Sequence, residues 1–170
     1  MNKPEPSRSF PSLGWICGHP ARFIAFGLGS GLIRPAPGTW GTLAAWPIWY
    51  LLMLARPSSW LIAVLLVLAL ILGSWACHRT GRDLGVADHG GMVWDEMVAF
   101  WLVLWLTPAT LPAQAVAFGL FRLFDIVKPV PIRQLDARFK NGFGVMLDDL
   151  LAAGYTLLVL ALLVRAGVPL

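Results

Sequence analysis

The chain has 170 residues and a mass of 18.6 kDa, ordinarily enough for one soluble domain, but 58% of it is hydrophobic and only 13% is charged. Soluble globular chains carry roughly 25% charged residues, so a fully wetted surface is excluded, and nine Trp with nine Phe exclude disorder. The net charge is +4, but the thirteen Lys and Arg are scattered among apolar runs and form no continuous basic face, which excludes nucleic acid and favours membrane lipids as the anionic partner.

Residues 1–20 read as a variable cytoplasmic segment. Met1 to Phe10 is polar and lacks the apolar core of a signal peptide. Residues 21–170 read as a single membrane-embedded domain. Two cysteines, Cys17 and Cys77, are too few for a disulfide framework. The expected fold is all-α, a polytopic membrane helical bundle of about five short transmembrane helices, with a re-entrant or interfacial N-terminal segment near 22–34 as an open addition. A helix needs about 20 apolar residues to cross the hydrocarbon core. Four stretches lack Asp, Glu, Lys and Arg: Pro35 to Ala55, Pro57 to His78, Met97 to Phe121 and Leu150 to Val164. The first is expected to turn helical near Thr39. The second is apolar on every face.

The third stretch carries Thr-Pro-Ala-Thr-Leu-Pro at 107–112, and two prolines so close break a helix into a hairpin. Charge bias favours that hairpin. With it, Lys3, Arg8, Arg22, Arg34, Arg79, Arg82, Lys128, Arg133, Arg138 and Lys140 share one side, with Arg122 at its edge and only Arg56 and Arg165 opposite. By the positive-inside rule the charged side is cytoplasmic.

The same topology carries all nine acids, Glu5, Asp83, Asp88, Asp95, Glu96, Asp125, Asp136, Asp148 and Asp149, to that side. Asp95 and Glu96 are expected to open the third helix, Asp125 to close the fourth, and Asp148 and Asp149 to open the fifth. Charged groups at helix ends at one membrane depth are costly and usually functional. Converging carboxylates repel, and a hard divalent cation such as Mg²⁺ relieves the repulsion while bridging to a phosphate. The bland alternative makes these acids N-caps and first-turn residues favoured by the helix dipole. It suits Asp95 and Asp148 and fails for Asp125 at a C-terminal end, unless Arg122 or Lys128 pairs with it.

The stretch Gly27-Leu-Gly-Ser-Gly-Leu-Ile-Arg-Pro-Ala-Pro-Gly-Thr-Trp-Gly-Thr42 could turn amides near Ser30 and Thr39 toward a phosphate, or simply let helices pack closely. His89, in Asp88-His-Gly-Gly91, is either a proton-transfer group or ligand, or an exposed loop histidine. Lys128, Arg133, Arg138 and Lys140 could hold an anionic head group or equally form an ordinary basic loop, the reading favoured for Arg138 and Lys140. Spacing excludes several phosphatase chemistries. Cys17 and Cys77 each precede an Arg by a C-x₄-R spacing, one residue short of a cysteine phosphatase loop. No D-x-D nucleophile occurs, and neither does a Pro-Ser-Gly-His signature.

Four segments in order, Phe26 to Ala45, Asp88-His-Gly-Gly-Met-Val-Trp-Asp-Glu96, Phe121-Arg-Leu-Phe-Asp-Ile-Val-Lys-Pro-Val-Pro-Ile-Arg133 and Gly144-Val-Met-Leu-Asp-Asp-Leu150, resemble the phosphatidylglycerophosphatase A family from about Arg22 to Ala153. Thr42 departs from the Ser expected there but keeps the hydroxyl. The resemblance implies a Mg²⁺-dependent hydrolase of the bacterial inner membrane, with its active site on the cytoplasmic side. It would convert phosphatidylglycerophosphate to phosphatidylglycerol and phosphate on the route to cardiolipin. It implies roles for Asp88, Asp95, Glu96, Asp125, Asp148 and Asp149. The corresponding expectation gives Asp88, His89, Asp95, Glu96, Asp125 and Asp149 catalytic work and Glu96, Asp125, Asp148 and Asp149 metal ligation. Ser30, Thr39, Arg122, Lys128 and Arg133 would bind the phosphate. Another Mg²⁺-dependent lipid-phosphate enzyme, a small transporter and a non-catalytic scaffold are the alternatives.

Overall fold

The computed structural model describes residues 10–130, 132–134 and 142–169. Lys3, Glu5, Arg8, Asp136, Arg138 and Lys140, named above, lie outside the described residues. The described residues contain helices and no strand. Two short helices, α1 (Leu13–Cys17) and α2 (Pro20–Ala25), lead into a 3-10 turn, Gly27–Leu32. The long helices follow: α3 (Pro37–Leu54), α4 (Ser59–Leu84), α5 (Trp94–Leu106), α6 (Leu111–Val127) and α7 (Gly142–Arg165).

Helix α5 is the axis of the bundle, packing against α3, α4, α6 and α7. Its apolar residues run right around the helix, the pattern of a wholly buried position, and Met97, Ala99, Phe100 and Val103 are completely buried. Close approach of its neighbours depends on small residues. A Cβ on Gly41 of α3 would lie 2.6 Å from Val93, and one on Gly73 of α4 would meet Trp94 and, at 2.9 Å, the Met146 sulfur. Indole N–H groups then bridge between helices: Trp46 donates to Gln114 Oε1 at 2.7 Å, Trp94 to the Ala69 carbonyl at 3.0 Å, and Trp101 to the Ala45 carbonyl at 2.8 Å.

The expected hairpin is present: α5 ends at Leu106 and α6 starts at Leu111, with Thr110 capping the Ala113 amide at 3.3 Å. Helix α3 begins at Pro37, two residues before the expected Thr39, because proline at the first helical positions loses no hydrogen bond. A larger correction concerns α7. It starts at Gly142, so Asp148 and Asp149 do not open the helix; they lie in its second turn and are buried. Gly142 is not a break but a contact, its backbone pressed against the Ser74 carbonyl and His78 of α4.

By length and composition, α4 with 26 residues and α7 with 24 can each cross a membrane. Helices α3, α5 and α6 have 18, 13 and 17 residues. The segment 22–34 is built from α2 and the 3-10 turn and holds no spanning helix. Both cysteines are free, Cys17 exposed and Cys77 buried.

Candidate active site

Four helix segments converge at one end of the bundle: the first turns of α3 and α5, the last turn of α6 and the second turn of α7. Adjacent residues on a helix point about 100° apart, so Asp95 and Glu96 leave α5 on different sides. Glu96 turns toward α3 and α6. Its carboxylate lies against the bare backbone of Gly38, where a Cβ would collide with both oxygens. Arg122 Nη1 pairs with Glu96 Oε2 at 3.1 Å and with Asp125 Oδ2 at 2.8 Å. Thr42 Oγ1 completes this group, donating to the Gly38 carbonyl at 2.9 Å, 3.4 Å from Glu96 Oε2, and accepting from Arg122 at 3.4 Å. Arg122 therefore explains how Asp125 is tolerated at a helix C-terminus.

Asp95 is buried on the other side, where Glu96 N–H donates to its Oδ1 at 2.9 Å. It is within electrostatic reach of Asp88 and Asp148, and Asp149 feels the charges of Asp95, Asp125, Glu96 and Asp148. Lys128, held in the left-handed conformation at the end of α6, pairs with Asp148. Among the described residues neither Asp95 nor Asp149 has a Lys or Arg partner, although both are more than nine-tenths buried. Among the described residues, five carboxylates thus face two cations. Among the described residues no three acidic, His or Cys side chains are grouped tightly enough to hold an ion as they stand.

Not every expected residue joins this group. Ser30 Oγ donates to the Gly27 carbonyl at 2.8 Å, closing its own turn. Thr39 is half-buried one residue beyond Gly38, and Arg133 is exposed. His89 is not the exposed loop histidine of the bland alternative: its ring is buried between Phe10, at 4.9 Å, and Phe26, at 5.7 Å. Its Nδ1 accepts the Gly91 N–H at 3.1 Å. Burial, with the nearby Arg34 charge, pushes the imidazole below its ordinary 6.5, so it is neutral at pH 7. Asp88, by contrast, is exposed beside this loop.

A model of the phosphatidylglycerophosphatase A family matches residues 23–164. The chain belongs to that family. A phosphatidylglycerophosphatase A of Haemophilus influenzae is 46% identical over 143 residues, covering 83% of this chain and 86% of that one. The protein of the same name from Escherichia coli K12 is 42% identical over 137 residues, covering 79% and 77%. A putative phosphatidylinositol-3-phosphatase of Bacteroides thetaiotaomicron is 40% identical over 144 residues, covering 81% and 89%. No solved structure shows significant similarity. The match to the phosphatidylglycerophosphatase A family spans every helix that contributes to the acidic site. Gly38 and Thr42 are the contributors that sequence reasoning passed over as loop and departure. Their i, i+4 spacing, which stacks them on one helix face, was the available signal.

Proposed function

We propose that this protein removes the terminal phosphate of phosphatidylglycerophosphate, leaving phosphatidylglycerol and inorganic phosphate on the route to cardiolipin, and that it requires Mg²⁺. The observation that carries the reading is the uneven pairing of the acids. Of the four expected ligands, Glu96 and Asp125 already share Arg122, and Asp148 has Lys128, which leaves Asp149. Asp95 joins it. Two buried carboxylates without a counter-charge are strongly unfavourable in a low-dielectric interior, and oxygen donors of this kind fit a hard divalent cation. When bound, Mg²⁺ would neutralise phosphate oxygens and lower the pKa of a water.

The remaining work falls to side chains. Arg122 Nε is buried with no hydrogen-bond partner, an expensive state that a phosphate oxygen would relieve. Arg122, with Lys128 at the rim, would hold the phosphate and stabilise the charge on its equatorial oxygens. Water attacks phosphorus, the bond to the glycerol oxygen breaks, and that oxygen takes up a proton. Asp88, exposed and within electrostatic reach of Asp95, would accept the proton of the attacking water. His89 is less suited, because its Nδ1 is already occupied.

The membrane reading extends this. Helices α3 to α7 would cross an inner membrane five times, with Arg22, Arg34, Arg79, Arg82 and the acidic site cytoplasmic and Arg56 and Arg165 opposite. Helix α5, at 13 residues about 20 Å long, is shorter than the roughly 30 Å hydrocarbon core, which sets the acids at its start below the lipid surface. Acids gathered at one end rather than mid-bundle support an enzyme over a transporter.

Phosphate release by purified protein in detergent, with Mg²⁺ or EDTA, tests the proposal. Phosphatidylglycerophosphate should be hydrolysed only with Mg²⁺ and in preference to phosphatidylinositol 3-phosphate. Preference for the inositol lipid would reassign the head group, and release in EDTA would remove the metal.

A further inference from the structure

We propose that the groove between α4, α5 and α7 seats one acyl chain of the lipid substrate while its phosphate occupies the acidic site; this rests on the reading of that site as a lipid phosphatase. The groove encloses about 230 Å³. Its walls are Leu66, Val67 and Leu70 of α4 and Val98, Leu102 and Trp105 of α5, with Ala63 at the far end and Leu150 at the near end. Every one of these side chains is apolar.

What singles it out is continuity with the carboxylates. Leu150 directly follows Asp149. Val98, Leu102 and Trp105 follow Asp95 at intervals of three, seven and ten residues, and so continue down the same side of α5. From Asp95 to Trp105 is about 15 Å of helix, nearly the whole length of α5. A chain anchored by its phosphate at the acids therefore has a groove that begins beside its head group and continues along α5 into the hydrocarbon core. The neighbouring cavity between α3 and α4, of about 250 Å³ and floored by Trp101, contains no residue next to an acid. A third, of about 490 Å³ beside Thr107 and Gln114, lies at the opposite end of the bundle.

The test compares dioleoyl with dihexanoyl phosphatidylglycerophosphate, whose short chains end before the deep part of the groove. Ala63→Phe should block that part. It should raise KM for the dioleoyl substrate about tenfold, the equivalent of leaving about two methylenes unburied, while kcat for both lipids and KM for the dihexanoyl lipid stay unchanged. Val67→Trp, at a half-exposed position that tolerates bulk, should act in the same direction if the first variant folds poorly. Leu65→Phe, in the α3–α4 cavity, should change neither. An unaltered ratio of the two substrates in folded Ala63→Phe and Val67→Trp protein overturns the groove assignment. Absence of phosphate release from either lipid by the unmodified protein would instead remove the phosphatase reading beneath it.

Discussion

Gly38 and Glu96 meet without a side chain between them, and that contact makes a prediction at the scale of one residue. A Cβ at Gly38 would collide with the carboxylate oxygens, which sit at the end of a flexible side chain and can swing away. Gly38→Ala should therefore fold, with a thermal midpoint near that of the parent, yet lose about 100-fold in activity, the usual cost of displacing a site group by about 1 Å. Thermal unfolding and turnover measured on one preparation check the split. Arg122 gives the opposite pattern. Its removal leaves Glu96 and Asp125 buried and repelling, so Arg122→Ala should destabilise the fold by about 3 kcal/mol. Adding Asp125→Asn should recover part of that loss in the same unfolding assay. At His89 the charged form is disfavoured by burial and by Arg34. A depressed folded-state pKa leaves stability intact above 6.5 and removes it as pH falls below that value. His89→Asn keeps an acceptor for the Gly91 N–H but cannot titrate. The stability difference between parent and variant should narrow on acidification, as unfolding midpoints from pH 7.5 to 5 would register.

At the scale of elements, the break between α5 and α6 was legible because Pro108 and Pro112 cannot sit inside one helix and because the basic residues become one-sided only with the hairpin. The start of α7 was not legible. Gly142 and Gly144 look like punctuation in a sequence, and only the tertiary contact with α4 shows that the first is needed for closeness. Gly142→Ala should therefore lower stability by about 2 kcal/mol, an overpacking cost, since Ser74 and His78 meet the new methyl largely with backbone atoms. The unfolding midpoint measures it. The hairpin also makes a topological prediction. In a Cys17→Ser, Cys77→Ala background, Ala109→Cys at the turn should react with a membrane-impermeant maleimide from outside the cell. Labelling only after lysis would contradict the five-span arrangement.

For the whole molecule, the gathering of acids at one end followed from counting charged positions along alternating helices. Which acids share a cation did not, because that depends on how α3, α6 and α7 turn around α5. The 100° step between Asp95 and Glu96 was readable; the side chains each would meet were not. The choice between a functional and an exposed His89 stayed open in the sequence for the same reason, since the rings that bury it come from Phe10 and Phe26, distant in the chain. The structure divides the site into a part paired with Arg122 and Lys128 and a part, Asp95 with Asp149, that has no Lys or Arg partner among the described residues, and the proposal gives the second part to the metal ion. The most direct test is the Mg²⁺ dependence of phosphate release from phosphatidylglycerophosphate by folded Asp149→Asn and Asp125→Asn protein. The account predicts that Asp149→Asn raises the Mg²⁺ concentration needed for half-maximal rate by at least about tenfold, or abolishes turnover and Mn²⁺ binding together. Asp125→Asn should lower the rate at an unchanged Mg²⁺ requirement. The reverse pattern, or equal shifts in both, would contradict it.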